Sequence, residues 1–167
     1  MRALALLLTA SVGFAVASAI PAEAKQPAPS RTVTTATGLS LTVSPFRLLN
    51  PAGAKVKVTG KGYNPLVGIY VAFCVTPPKG EVPTPCGGGA AMSGSSASAW
   101  ISSNPPPYGA ELATPYGKGG TFSVTLRIAP MIGDVDCRTV SCSVVTRADH
   151  TRSSERAYDV FVPVTFK

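Results

Sequence analysis

Four cysteines, one histidine and a short run of mixed charge hold most of the groups in this 167-residue chain that could do chemistry. The cysteines are Cys74, Cys86, Cys137 and Cys142. Three pairings are open to them. The local one joins Cys74 to Cys86 and Cys137 to Cys142, across loops short enough that closing each is worth roughly 2–3 kcal/mol. A metal site would need two Cys a few residues apart in each half. Cys74 and Cys86 lie too far apart for that, and His150 stands alone, so no metal is expected. His150 is also the sole imidazole base available to a Ser or Cys nucleophile. No Gly-x-Ser-x-Gly turn is present, and the acids show no spacing that would face two carboxylates. A hydrolase would have to be built on His150; the chain reads instead as a non-enzyme without a cofactor.

His150 sits in a polar segment in which Arg147, Asp149, His150, Arg152, Glu155, Arg156 and Asp159 bring opposite charges close together. Such a loop could recognise a polar or anionic group. The simpler reading is a loop stitched by its own ion pairs between the last two strands. Trp100, Tyr108 and Tyr116 crowd into a Pro- and Gly-rich stretch, Pro77 to Gly120, that contains Gly87-Gly88-Gly89 and Pro105-Pro106-Pro107. Aromatic side chains there could line a cleft for an apolar ligand or pin the stretch to the scaffold beneath it.

The elements that must carry these groups are strands. Leu39, Leu41 and Val43 alternate with Ser40 and Thr42; Val56 and Val58 alternate with Lys55, Lys57 and Thr59. Ile69, Val71 and Phe73 form a third run, and Phe122, Val124, Leu126 and Ile128 a fourth. Val144 to Arg147 and Tyr158 to Phe166 close the series. Alternation of this kind is what a strand with one buried face requires. Asn50-Pro51, Gly60-Lys61-Gly62, Asn64-Pro65 and Gly117 to Gly120 mark the turns. No window offers a helical period free of Gly and Pro. The fold class expected is all-β, a seven-stranded antiparallel immunoglobulin-like β-sandwich over residues 39–167 with a long insertion at 77–120; a small closed barrel is the alternative.

The first residues carry an export signal. Arg2 precedes an apolar run, and small residues follow as Ala17-Ser18-Ala19 and Ala22-Glu23-Ala24. Either triplet suits signal peptidase, and cleavage after Ala24 is expected because Lys25 to Arg31 reads as a polar mature terminus. Residues 1–24 are thus assigned to a signal peptide and 25–38 to a flexible tail. The mature chain of roughly 140 residues suits one domain. It is expected outside the cytoplasm, secreted or associated with the cell envelope, with no membrane insertion after cleavage. The net charge is +7, yet Lys and Arg are scattered along the chain without a cluster. A nucleic-acid partner is therefore not expected, and weak attraction to an anionic envelope is the most that the charge implies.

The order Val56-Lys57-Val58-Thr59-Gly60, Ile69-Tyr70-Val71-Ala72-Phe73-Cys74, Cys86, Val135-Asp136-Cys137 and Cys142 resembles the neocarzinostatin and macromomycin apoproteins, secreted actinobacterial proteins. The resemblance spans about Leu39 to Phe166. It implies Cys74–Cys86 at the floor of a cleft and Cys137–Cys142 near its side. In that family the cleft carries an apolar enediyne chromophore. The expectation that follows is a monomeric binding module holding a small apolar molecule near the first disulfide, with Phe73, Trp100, Tyr108, Tyr116 and Met131 as walls. The alternative is an adhesive envelope domain that binds another surface protein and has no small ligand.

Overall fold

A computed structural model describes residues 27–88 and 97–167. The expected signal peptide lies outside the described residues. In chain order the strands are β1 (Arg31–Thr34), β2 (Ser40–Ser44), β3 (Ala54–Lys61), β4 (Ile69–Val75), β5 (Cys86–Gly87), β6 (Ser98–Ile101), β7 (Ala113–Thr114), β8 (Phe122–Ile128), β9 (Met131–Ile132), β10 (Val135–Asp136), β11 (Cys142–Ala148) and β12 (Val160–Val164). The seven with four or more residues from position 39 onward are β2, β3, β4, β6, β8, β11 and β12. The only helical elements among the described residues are single 3₁₀ turns at Pro107–Gly109 and His150–Arg152. None is long and apolar enough to cross a membrane.

The first sheet runs β1-β2-β3-β8, antiparallel throughout. The second runs β12-β11-β4-β6-β7, and β9 and β10 form a separate hairpin. The alternating residues meet between the two sheets. Leu41, Val43, Val56, Val58, Leu126 and Ile128 come from the first; Ile69, Val71, Phe73, Val144, Val160 and Val162 come from the second, and all are buried in one cluster. The aromatic ring of Phe73 meets that of Phe166 edge-on at 5.9 Å. One polar chain crosses this core. Tyr63 Oη donates to Thr146 Oγ1 at 3.0 Å, which donates to the Tyr158 carbonyl at 2.8 Å. Burial pushes the Tyr63 phenol up to about 12, so the link stays protonated and donating at physiological pH.

One segment differs from the sequence-based expectation. Part of the stretch assigned to a flexible tail, Arg31–Thr34, is a strand paired with β2. Its one inward apolar residue, Val33, was too little to show an alternation, but it packs on the core while Thr32 and Thr34 hydrogen-bond Thr42 and Ser40. The insertion carries the short strand that Ala97 to Ser102 around Trp100 leads one to expect, and this strand, β6, lies inside the second sheet between β4 and β7. Both β5 and β6 pair with β4, Gly87 opposite Phe73 and Ser98 opposite Ala72. One antiparallel ladder along β4 is thus shared by two pieces of chain, with Gly87 and Ser98 at adjacent register positions.

Candidate functional site

The outward positions of the second sheet gather what the inward ones exclude. Tyr70 stands opposite both Trp100 and Arg147, and Ala72, Cys74 and Val145 form a buried patch beside them. An outer face of this kind is buried only if something covers it, and the insertion does so. Cys74–Cys86 fastens its beginning, with Phe161 and Cys86 packed on the Ala72–Cys74–Val145 patch. The second disulfide joins Cys137 to Cys142. Among the described residues no cysteine is free, as expected of an oxidising compartment.

The far end of the insertion is held by an aromatic and carboxylate hub. Trp100 is 2 % exposed and donates from Nε1 to Asp149 Oδ2 at 3.0 Å. Asp149 caps the short 3₁₀ turn at His150–Arg152, accepting at Oδ1 from the Thr151 amide and hydroxyl. Three donors on one buried carboxylate offset much of the cost of removing it from water. Two glycines make the approach possible. A Cβ at Gly68 would collide with the Asp149 carboxylate, and one at Gly109 with the Trp100 ring. His150 lies above, with Tyr70 Oη 2.6 Å from Nδ1 and Tyr108 Oη 2.7 Å from Nε2. Both ring nitrogens are occupied by hydroxyls, and Tyr108, itself exposed, ties the insertion to the closing segment. Burial, and next the Asp149 charge, raise the Tyr70 phenol above its ordinary value.

The five proposed wall residues do not share one cleft. Phe73 is on the inner face of the second sheet and Trp100 on the outer, so the pleat separates them. Tyr116 is anchored by a hydrogen bond from its hydroxyl to the Val67 carbonyl at 3.1 Å and stacks on Tyr63. Burial raises its phenol strongly. Met131 is half exposed on the β9 hairpin.

A groove of about 520 Å³ opens elsewhere on the same outer face, between Thr76–Glu81 and the residues Arg156, Asp159 and Phe161. Pro77, Pro78 and Phe161 supply apolar walls, and Phe161 connects the groove to the patch around the first disulfide. Asp159 lines it with a side chain 8 % exposed. Its Oδ2 takes a hydrogen bond from Arg156 Nη1 at 3.0 Å, while Oδ1 is buried without a partner. Arg147 Nε is likewise buried and unpartnered, although Nη1 reaches the Pro83 carbonyl at 3.5 Å. Burial outweighs the neighbouring guanidinium groups of Arg156 and Arg147 and pushes the Asp159 carboxyl up to about 6.

The polar segment therefore divides. Asp149 and His150 serve the hub; Arg156 and Asp159 line the groove, Arg147 acts on it only through its charge on Asp159, and Arg152 pairs with Glu155 at 3.7 Å. The sequence reading picked out these charges but missed Tyr70, Pro77, Pro78 and Phe161. Tyr70 and Phe161 had a signal, being aromatic at the outward parity of apolar strands. The prolines had none, because only the folded loop turns them toward Phe161.

Among solved structures, macromomycin matches with 19 % identity over 78 % of this chain and all of that chain, at a TM-score of 0.49. No protein-family model matches the chain, and no curated protein matches it.

Proposed function

We propose that this protein is an exported, non-enzymatic binding module that takes a small molecule with an apolar body and a hydrogen-bond donor in the groove beside the first disulfide. The observation that carries this reading is the unpartnered Asp159 Oδ1, nine-tenths buried, at an apolar-walled groove. A buried acceptor left empty costs about 1–3 kcal/mol, and such groups in native proteins call for a partner. A donor on the ligand would supply one, while Pro77, Pro78 and Phe161 would hold the rest. The groove has the size of small-molecule sites, which run from about 300 to 1,000 Å³. Export is supported by the leader pattern and by the two disulfides. The motif resemblance to secreted chromophore-carrying apoproteins points to the same class of role. The hub does not favour catalysis, since His150 is engaged by two phenols and the described cysteines are all in disulfides.

Native mass spectrometry of the protein from its own culture supernatant, before and after organic extraction, tests this. The expected result is a mass excess that extraction removes and that Asp159→Asn and Phe161→Ala proteins lack while keeping wild-type near-ultraviolet dichroism. A bare mass from the native source, or a cargo unaffected by both substitutions, would overturn the assignment to this groove.

A further inference from the structure

The first sheet carries no acidic residue, and its pleat collects cations that the sequence scatters. With Val56, Val58, Leu126 and Ile128 in the core, the alternate positions Lys55, Lys57, Lys61 and Arg127 point outward. All four are exposed, and none makes an ion pair among the described residues. Arg127 stands directly opposite Lys55. The remaining outward positions are hydroxyls. Thr32, Thr42, Thr59 and Ser123 run across all four strands in one row, and Thr34 and Ser40 lead to Lys61 in the next. An open groove of about 520 Å³ follows these hydroxyls to Lys61 and Thr121.

We propose that this face binds an extended acidic polysaccharide lying along β3. At about 3.4 Å per residue, Lys55 and Lys57 are roughly 7 Å apart and Lys61 lies roughly 20 Å from Lys55. One small anion cannot satisfy charges spread over that length, whereas a polymer with a repeating acid group can. The hydroxyl rows supply donors and acceptors for sugar hydroxyls between the charges. The one aromatic residue lining the groove, Phe122, is buried, so the bases of a single-stranded nucleic acid would have no open ring to stack on. No apolar residue occupies an outward position of these strands to enter a lipid surface. A second copy of the same face would meet it with like charge. The proposal uses none of the residues of the Asp159 groove, and the two stand or fall separately.

Titration of the intact mature protein with polygalacturonate by calorimetry, with neutral dextran and oligo-dT as comparisons, tests it. Saturable binding to polygalacturonate that weakens with salt is expected, with dextran and oligo-dT much weaker. Neutralising Lys55, Lys57 and Lys61 together to Gln should reduce affinity roughly tenfold or more and flatten the salt dependence, because three counterion-releasing contacts are lost. Thr42→Val with Thr59→Val should weaken binding and leave the salt dependence unchanged. A triple Gln variant elsewhere, at Arg138, Arg152 and Lys167, should bind as wild type. Equal loss from that control would reduce the effect to net charge and overturn the proposal. So would tighter binding of oligo-dT, or indifference to the β3 lysines in variants that melt like wild type.

Discussion

The two sheets share a core and differ in what happens on their outer faces. The first leaves Lys55, Lys57, Lys61 and Arg127 in solvent among Ser and Thr, and no acid occurs in its strands. The second turns Tyr70, Ala72, Cys74, Trp100 and Val145 outward and then covers them with its own insertion. The covered face thereby becomes a second, smaller core with polar groups inside it. Sheet pairing explains why the same alternation served two ends. A strand needs one apolar face to fold, and its other face is free for charge or for a further layer.

The contrast has a graded set of consequences. The largest belongs to Trp100. Trp100→Ala should cost about 3–5 kcal/mol in urea denaturation, from the cavity it leaves and the donor that Asp149 loses. A cost below about 1 kcal/mol would show that the insertion merely rests on the second sheet. The next effect is set by pH. The Asp159 carboxyl is raised from 3.8 to about 6 in the folded protein, so folding favours its protonated form. That contribution is full below about pH 4 and is lost as pH rises through about 6. At about 1.4 kcal/mol per pKa unit it is on the order of 3 kcal/mol. Asp159→Asn should remove this slope and raise the melting temperature relative to wild type at pH 7. Parallel melting curves for the two proteins between pH 4 and 7 would show the carboxyl to be solvated. The smallest effect belongs to the open face. Lys57→Ala should change stability by no more than about 0.5 kcal/mol, and a larger loss would mean that the first sheet's outer face is also structural.

How far these features could be read in advance depended on whether they were local. The alternation at Phe122 to Ile128 and Val160 to Val164 marked strands correctly, because parity is written along the chain. The local disulfides were equally accessible. The basic face was not, since Lys55 and Arg127 become neighbours only through the β3–β8 register. The expected wall residues lie apart for a related reason. Phe73 and Trp100 looked like companions as large aromatics, but β4 and β6 place them on opposite sides of one sheet. Asp159 and Arg156 were visible as charges; their groove needed the loop Thr76–Glu81 to fold across Phe161.

The ladder that β5 and β6 share along β4 has a consequence for how this chain tolerates change. Gly87 and Ser98 occupy consecutive register positions, so the excursion between them begins and ends at nearly the same place on the sheet. Those two ends are fixed by the register, and by Ala97, which packs on the core and accepts from the Phe73 amide at 2.9 Å. The closure entropy of such a detour grows only slowly with added residues, by about 0.6 kcal/mol per doubling. Chain added between Gly88 and Ala97 is therefore expected to leave the strand order intact, which suits that point for grafting a peptide epitope or a fluorophore-labelled loop.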